Sequence, residues 1–163
     1  MAKIQLPIWT KWKKIKAEKF QKYGYPNSNF IITFEYNEIG QLIEQTEFDS
    51  KGKRTSHIRF KYLNNKLIEK IEYGSSNESI QNKTKFGYDE NKTLVIEKIL
   101  DKNGDLVKLS EFNQGILARE NNYKLKRNMS FDYEFDSQNN WIQKVISEKE
   151  KPVYLIEREI KYY

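Results

Sequence analysis

A short phrase recurs along this chain and limits what it can fold into: an aromatic residue, Asp or Asn, two or three polar residues, usually Gly, then an aliphatic. It reads Tyr36-Asn37-Glu38-Ile39-Gly40-Gln41-Leu42 and returns as Phe48-Asp49-Ser50-Lys51-Gly52, Tyr88-Asp89-Glu90-Asn91-Lys92-Thr93-Leu94, Leu100-Asp101-Lys102-Asn103-Gly104-Asp105-Leu106 and Phe135-Asp136-Ser137-Gln138-Asn139-Asn140-Trp141. Shortened copies run from Tyr62 to Leu67 and from Phe112 to Leu117. An Asp or Asn that opens a turn accepts a hydrogen bond from the backbone two residues on, and a Gly or Asn three residues later takes positive φ. The phrase therefore predicts a type I turn closed by a left-handed residue, with the aromatic and the aliphatic paired on two antiparallel strands. Copies begin at positions 36, 48, 62, 88, 100, 112 and 135, so most steps are near a dozen residues and hold one strand and one turn. The longest gap leaves room for a degenerate turn at Gly74-Ser75-Ser76-Asn77. A fixed period of this kind marks a repeat architecture whose unit is the hairpin.

From Phe30 the hydrophobic period is two. Phe30, Ile32, Phe34 and Tyr36 alternate with Ile31, Thr33 and Glu35; Ile58, Phe60 and Tyr62 with His57, Arg59 and Lys61; Thr84, Phe86 and Tyr88 with Lys83, Lys85 and Gly87; Met129, Phe131, Tyr133 and Phe135 with Ser130, Asp132 and Glu134. Strands of this pattern are half-buried and antiparallel, with an aromatic face and a charged face. Phe34, Phe60, Phe86 and Phe112 recur every 26 residues, two strands and two turns apart, which predicts a ladder of aromatics on one side. The segment 121–128 keeps the pattern least well and reads as a longer turn or a bulge.

The N-terminal stretch differs. Pro7 suits a first helical turn, and Ile8, Trp9, Trp12, Ile15, Phe20 and Tyr23 recur at steps of three to five, with Gly24 and Pro26 behind them. The expected architecture is all-β: an antiparallel meander of about eleven strands built from hairpin repeats, curled or barrel-like, with one N-terminal amphipathic helix over residues 7–23. Residues 1–29 form the helix and linker, and 30–163 the repeat domain. The apolar side of the helix is expected to cover the sheet, in preference to lying on an anionic membrane.

Composition narrows the function classes. The 163 residues carry 29 basic and 23 acidic side chains, a net charge of +6 concentrated in the first 22 residues, and aromatics make up 14%. That aromatic content argues against a disordered segment. There is no cysteine, which removes disulfides and thiolate metal sites. No apolar run reaches the roughly 20 residues needed to span a bilayer as a helix. The chain reads as cytoplasmic if complete as written, and as secreted or envelope-associated if a signal sequence was removed.

The tandem aromatic-Asp-x-x-Gly-x-Leu phrase resembles the RHS/YD-repeat family over roughly residues 30–163, most closely at Tyr36–Leu42, Phe48–Gly52 and Tyr88–Leu94; Phe135–Trp141 keeps the spacing with Asn139 in place of Gly. MORN-like repeats are a weaker resemblance. The family resemblance implies a strand-and-turn unit that tends to curl, in proteins that enclose a cargo or bind partners and carbohydrates. This chain is short for an enclosing shell.

The residues offer little to catalysis. The lone histidine, His57, is expected on the outward face of its strand, a poor start for a metal site, and nucleophile–base pairs have only this residue to use. Phosphate-binding glycine loops are absent. Glu44, Glu69 and Glu97 recur in register and read as cross-strand partners of lysines. The expectation is a non-catalytic binding or scaffolding module, without cofactor or metal, that engages a protein or a glycan. Its candidate contact residues are Phe34, Tyr36, Phe60, Tyr62, Phe86, Tyr88, Phe131 and Tyr133. Two alternatives stand beside it: an immunity- or antitoxin-like inhibitor of a toxin partner, and a nucleic-acid-binding protein using Arg54, Arg59, Lys61, Lys124, Lys126 and Arg127.

Overall fold

The recurring phrase folds as a tight turn at each full copy. Asp49 shows the arrangement: the Gly52 N–H donates to the Asp49 carbonyl at 3.0 Å, and the Lys51 and Lys53 N–H groups both donate to Asp49 Oδ1 at 2.9 Å. Asp136 repeats it, with Asn139 donating to its carbonyl at 3.1 Å and Gln138 and Asn140 to Oδ1 at 2.9 Å. Asn37, Asp89 and Asp101 hold their turns in related ways. The closing residue has positive φ whether it is Gly40, Gly52, Gly104, Lys92 or Asn139. As the phrase predicts, the residues before and after the turn pair across strands: Tyr36 with Leu42, Leu100 with Leu106, Phe135 with Trp141. Each of these pairs follows a one-residue register shift that the left-handed residue accommodates.

The computed structural model describes residues 8–10, 13–21, 29–75 and 79–162, with side chains described from Phe30 onward. The described residues form thirteen strands: β1 (Ile8–Thr10), β2 (Lys13–Gln21), β3 (Asn29–Tyr36), β4 (Leu42–Phe48), β5 (Arg54–Leu63), β6 (Lys66–Tyr73), β7 (Ile80–Tyr88), β8 (Leu94–Asp101), β9 (Leu106–Asn113), β10 (Ile116–Asn122), β11 (Arg127–Phe135), β12 (Trp141–Glu148) and β13 (Lys151–Glu157). Their order in the sheet is chain order without a crossover, and neighbouring strands such as β2 and β3 or β5 and β6 run antiparallel. The order is linear, with β1 and β13 at its ends among the described strands. The strands fall into two units, one holding β1–β6 and β7 as far as Lys85, the other running from Phe86 through β8 as far as Leu100 and then β9–β13.

The expected N-terminal helix is not formed by the described residues. Positions 8–10 and 13–21 are strands, and β2 pairs with β3 over its full length, from Lys14 opposite Tyr36 to Gln21 opposite Asn29. The rest of the stretch expected to be helical lies outside the described residues. The physical reason is tertiary: β3 offers a row of backbone donors and acceptors, and satisfying it outweighs a helical spacing of apolar residues. From β3 onward there are eleven strands, as the periodicity implies.

Connections also follow the residues. Asn64 and Asn65 both take positive φ in the two-residue loop between β5 and β6, and Gln114 and Gly115 do the same between β9 and β10. Two positive φ values in a row define the mirror-image turn that matches strand twist. The weak segment 121–128 resolves into a turn at Tyr123–Lys126, with the Leu125 N–H donating to Asn122 Oδ1 at 2.9 Å.

No apolar side chain among the described residues is fully buried. The best-sheltered ones are short or polar and sit in mid-strand: Thr46, His57, Thr84, Ser110 and Ser147. In a layered domain the deepest positions lie between two faces and are apolar. Here shelter comes sideways, from longer side chains on neighbouring strands, so small residues flanked by long ones are covered best. Cross-strand contacts on each face are the unit of stabilisation in such a sheet.

Candidate functional site

Strand register fixes which side chains share a face. In the first unit Phe34 lies opposite Gln45, Gln45 opposite Ile58 and Phe60 opposite Lys70. Alternation then puts Phe34, Tyr36, Phe60 and Tyr62 on one side, and all four are half-buried. The Tyr62 hydroxyl donates to the Leu42 carbonyl at 2.9 Å. Thr84 lies opposite Lys70, which carries the alternation along β7 to Phe86 and Tyr88. In the second unit a Cβ on Gly87 would sit 2.4 Å from Ile96 Cγ2, so Gly87 and Ile96 share a side and Phe86 takes the other. Following Ile96–Glu111, Ser110–Glu120 and Glu120–Met129 places Phe112, Phe131 and Tyr133 on that same other side. Within each unit, the aromatic residues expected to share a face do so.

Several rings meet at β11 and β12. Tyr133 lies 6.2 Å from Phe135 and 6.4 Å, edge-on, from Trp141 between ring centroids. Lys144, directly across from Tyr133, holds its ammonium 5.0 Å from the Phe131 ring and 5.5 Å from that of Tyr133. Burial pushes the Tyr133 hydroxyl above the ordinary tyrosine pKa. Beside the rings a hollow of about 270 Å³ is lined by Asn113, Gln114, Ile116, Leu117, Phe131, Tyr133 and Phe135. Phe135 is 40% exposed. Neither Phe135, Trp141 nor Lys144 stands among the expected contact residues. The repeat phrase contains the signal for the first two, since it pairs its first and last residues across the turn.

The opposite face of the first unit carries charge. Thr33, Thr46, His57 and Tyr73 follow one another across β3–β6. His57 stacks on Tyr73, ring centroids 5.0 Å apart, and its imidazole is 3% exposed. Its Nε2 lies 3.2 Å from Glu44 Oε1, at ion-pair distance but without hydrogen-bond geometry, and its Nδ1 is 3.5 Å from an Arg54 nitrogen. Glu44 Oε2 also accepts from Arg59 Nε at 3.2 Å. The histidine therefore points to the face opposite the aromatics, as expected, but is covered there by its neighbours.

The expected basic patch divides between the units. Arg54, Arg59 and Lys61 lie on β5, where Glu44 neutralises Arg59 and Glu69 stands 3.7 Å from Lys61 and 3.8 Å from Lys83. Lys124 and Lys126 are exposed in the β10–β11 turn, and Arg127 pairs with Glu148 at 3.2 Å. Glu97 lies opposite Ser110 in the second unit. Among the described residues no group of three or more His, Asp or Glu is placed to hold a metal ion.

No protein-family model matches the chain, and none of the curated proteins matches it. Among solved structures it is similar to a mutant of S. aureus TarM in complex with Fondaparinux, alpha-GlcNAc-glycerol and UDP, at 10% identity and a TM-score of 0.33, covering 69% of this chain and 21% of that one. A second TarM structure gives 11% identity and a TM-score of 0.32, covering 70% and 21%. The chain spans about a fifth of the length of each, and likeness at this TM-score carries nothing about function.

Proposed function

We propose that this chain is a non-catalytic binding or scaffolding module that engages a protein or glycan partner through the aromatic side of its sheet. The observation that carries the reading is the absence of any fully buried apolar side chain among the described residues, beside aromatic faces on which Phe60 in the first unit and Phe131, Tyr133 and Phe135 in the second keep part of their surface in water. Apolar area left in water gains roughly 25 cal/mol for each Å² that a partner covers. Aromatics interleaved with Lys70 and Lys144 suit a mixed ligand surface, since rings supply stacking area and ammonium groups supply donors. The hairpin unit is the one the RHS/YD-like phrase implies, which supports the same class of function.

The test is a glycan array and a crosslinking screen, run with the full chain and with Phe60→Ala, Tyr133→Ala, Lys61→Ala and Glu69→Ala. The reading expects binding to fall at least about tenfold for the two aromatic variants, the loss of a contact worth roughly 1.4 kcal/mol, and to survive both charged-face variants. The reverse pattern, with a tightly bound protein partner, would support the inhibitor reading. Retention on DNA or RNA that falls steeply with salt and with Lys124→Ala and Lys126→Ala would support nucleic-acid binding instead.

A further inference from the structure

β13 is exposed along its whole length. Val153 is 44% exposed, Tyr154 61%, Leu155 59% and Ile156 42%, so apolar residues on both sides of the strand meet water. It stands at the end of the strand order. The described residues after it turn elsewhere: Arg158 holds its guanidinium 3.9 Å from the Trp141 ring, and the Tyr162 hydroxyl bonds Asn140 and Asp136 in the β11–β12 turn. We propose that β13 is a self-association edge, at which two copies of this chain join antiparallel and continue the sheet.

Three features select a second copy as the occupant. First, the backbone is available where the strand is apolar. The Arg158 N–H donates to the Ile142 carbonyl, so along the regular part of the strand the alternate residues Leu155 and Glu157 turn their main-chain groups away from β12. Second, devices that blunt an edge are confined to one end. Lys151, Pro152 and the register shift opposite Ile146 and Ser147 lie there, while Tyr154–Ile156 has none. Third, the strand is self-complementary. Pairing centred on Tyr154 puts Tyr154 against itself on one face and Val153 against the second copy's Leu155 on the other, with Lys151 opposite Glu157. The same antiparallel sense brings the Lys151 end of each copy to the Glu157 end of the other, whereas a parallel sense would bring like charges together. A two-fold contact requires such a patch. This inference does not rest on the aromatic-face reading.

An edge this short buries less than the roughly 1,200 Å² of a standard interface, so the expected dimer is weak, with a dissociation constant on the order of 10–1,000 μM. Sedimentation equilibrium of the full chain over that range should show a monomer–dimer equilibrium. Leu155→Pro, which removes an outward N–H, should leave a monomer. Lys151→Glu and Glu157→Lys should each weaken the dimer about tenfold, because two like-charge contacts arise by symmetry. An equimolar mixture of those two variants should dimerise more tightly than either alone, a result that a folding defect cannot imitate. A monomer throughout, or a dimer that Tyr133→Ala disrupts and the β13 variants do not, would overturn the proposal. Loss with Leu155→Pro but no response to charge or mixing would overturn the antiparallel arrangement.

Discussion

His57 Nε2 stands 3.2 Å from Glu44 Oε1 at a position where the imidazole is 3% exposed. An exposed ion pair contributes about 0–1 kcal/mol, whereas a sheltered ring also contributes through its packing. His57→Ala is therefore expected to cost about 1–3 kcal/mol in urea unfolding, through the lost Tyr73 stack and the space left at a buried position. Arg59→Ala, at a side chain 47% exposed, should cost less than about 1 kcal/mol. A double-mutant cycle between His57 and Glu44 measures the coupling directly. Equal losses for the two single variants would mean that burial of the ring adds nothing.

Gly87 and Ile96 meet more closely than any side chain at position 87 could allow. A Cβ there would fall 2.4 Å from Ile96 Cγ2, so β7 or the isoleucine must shift. Gly87→Ala is expected to destabilise by about 1–3 kcal/mol. Adding Ile96→Ala to that background should recover part of the loss, although the same change alone is destabilising. Purely additive losses would show that the glycine is needed for another reason.

The β12–β13 loop puts Lys149 and Glu150 at φ 49° and 66°, the mirror-image turn built from two residues with no preference for it. A left-handed conformation costs roughly 1–2 kcal/mol per ordinary residue, against roughly 0.5–1 kcal/mol of chain entropy for a glycine. Lys149→Asn with Glu150→Gly should therefore raise stability by about 1 kcal/mol. Thermal unfolding tests it, and an unchanged midpoint would show that the loop is relaxed as it stands.

The turns were legible in the sequence because each is a local device. Asp49, Asp136 and their equivalents carry the acceptor and the left-handed position inside a few residues. Register and the aromatic face followed, since turn length and period-two alternation fix both. Two other features depend on distant partners. Residues 8–10 and 13–21 have helical spacing, yet β2 pairs with β3, whose need for backbone partners no local pattern records. The cover over His57 comes from Glu44, Arg54 and Tyr73 on three strands, which no spacing around position 57 reveals. Nor does alternation tell a sheet with one packed face from one whose deepest side chains are Ser110 and His57.

Burial raises the hydroxyl pKa of Tyr133, and of Tyr88, above the ordinary value near 10. A raised folded-state value favours the neutral ring in the fold, so its contribution is fully present below about pH 10 and is lost as pH rises through the folded value. At the acid end Glu72 is shifted the other way, chiefly by its hydrogen bond from Lys70 2.6 Å away. A depressed carboxylate contributes above its ordinary value and loses that contribution as pH falls through the folded one. Stability should therefore decline at both limits, with different residues responsible. Tyr133→Phe should flatten the alkaline limb and leave the acid limb unchanged, and Glu72→Gln should do the reverse. Residue-specific tyrosine NMR gives the independent reading: Tyr133 should ionise at higher pH than a free tyrosine side chain. If Tyr133 ionises at the ordinary tyrosine value, the ring cluster around it is open to water, and the packing of Phe131, Lys144 and Trp141 about it is not kept in solution.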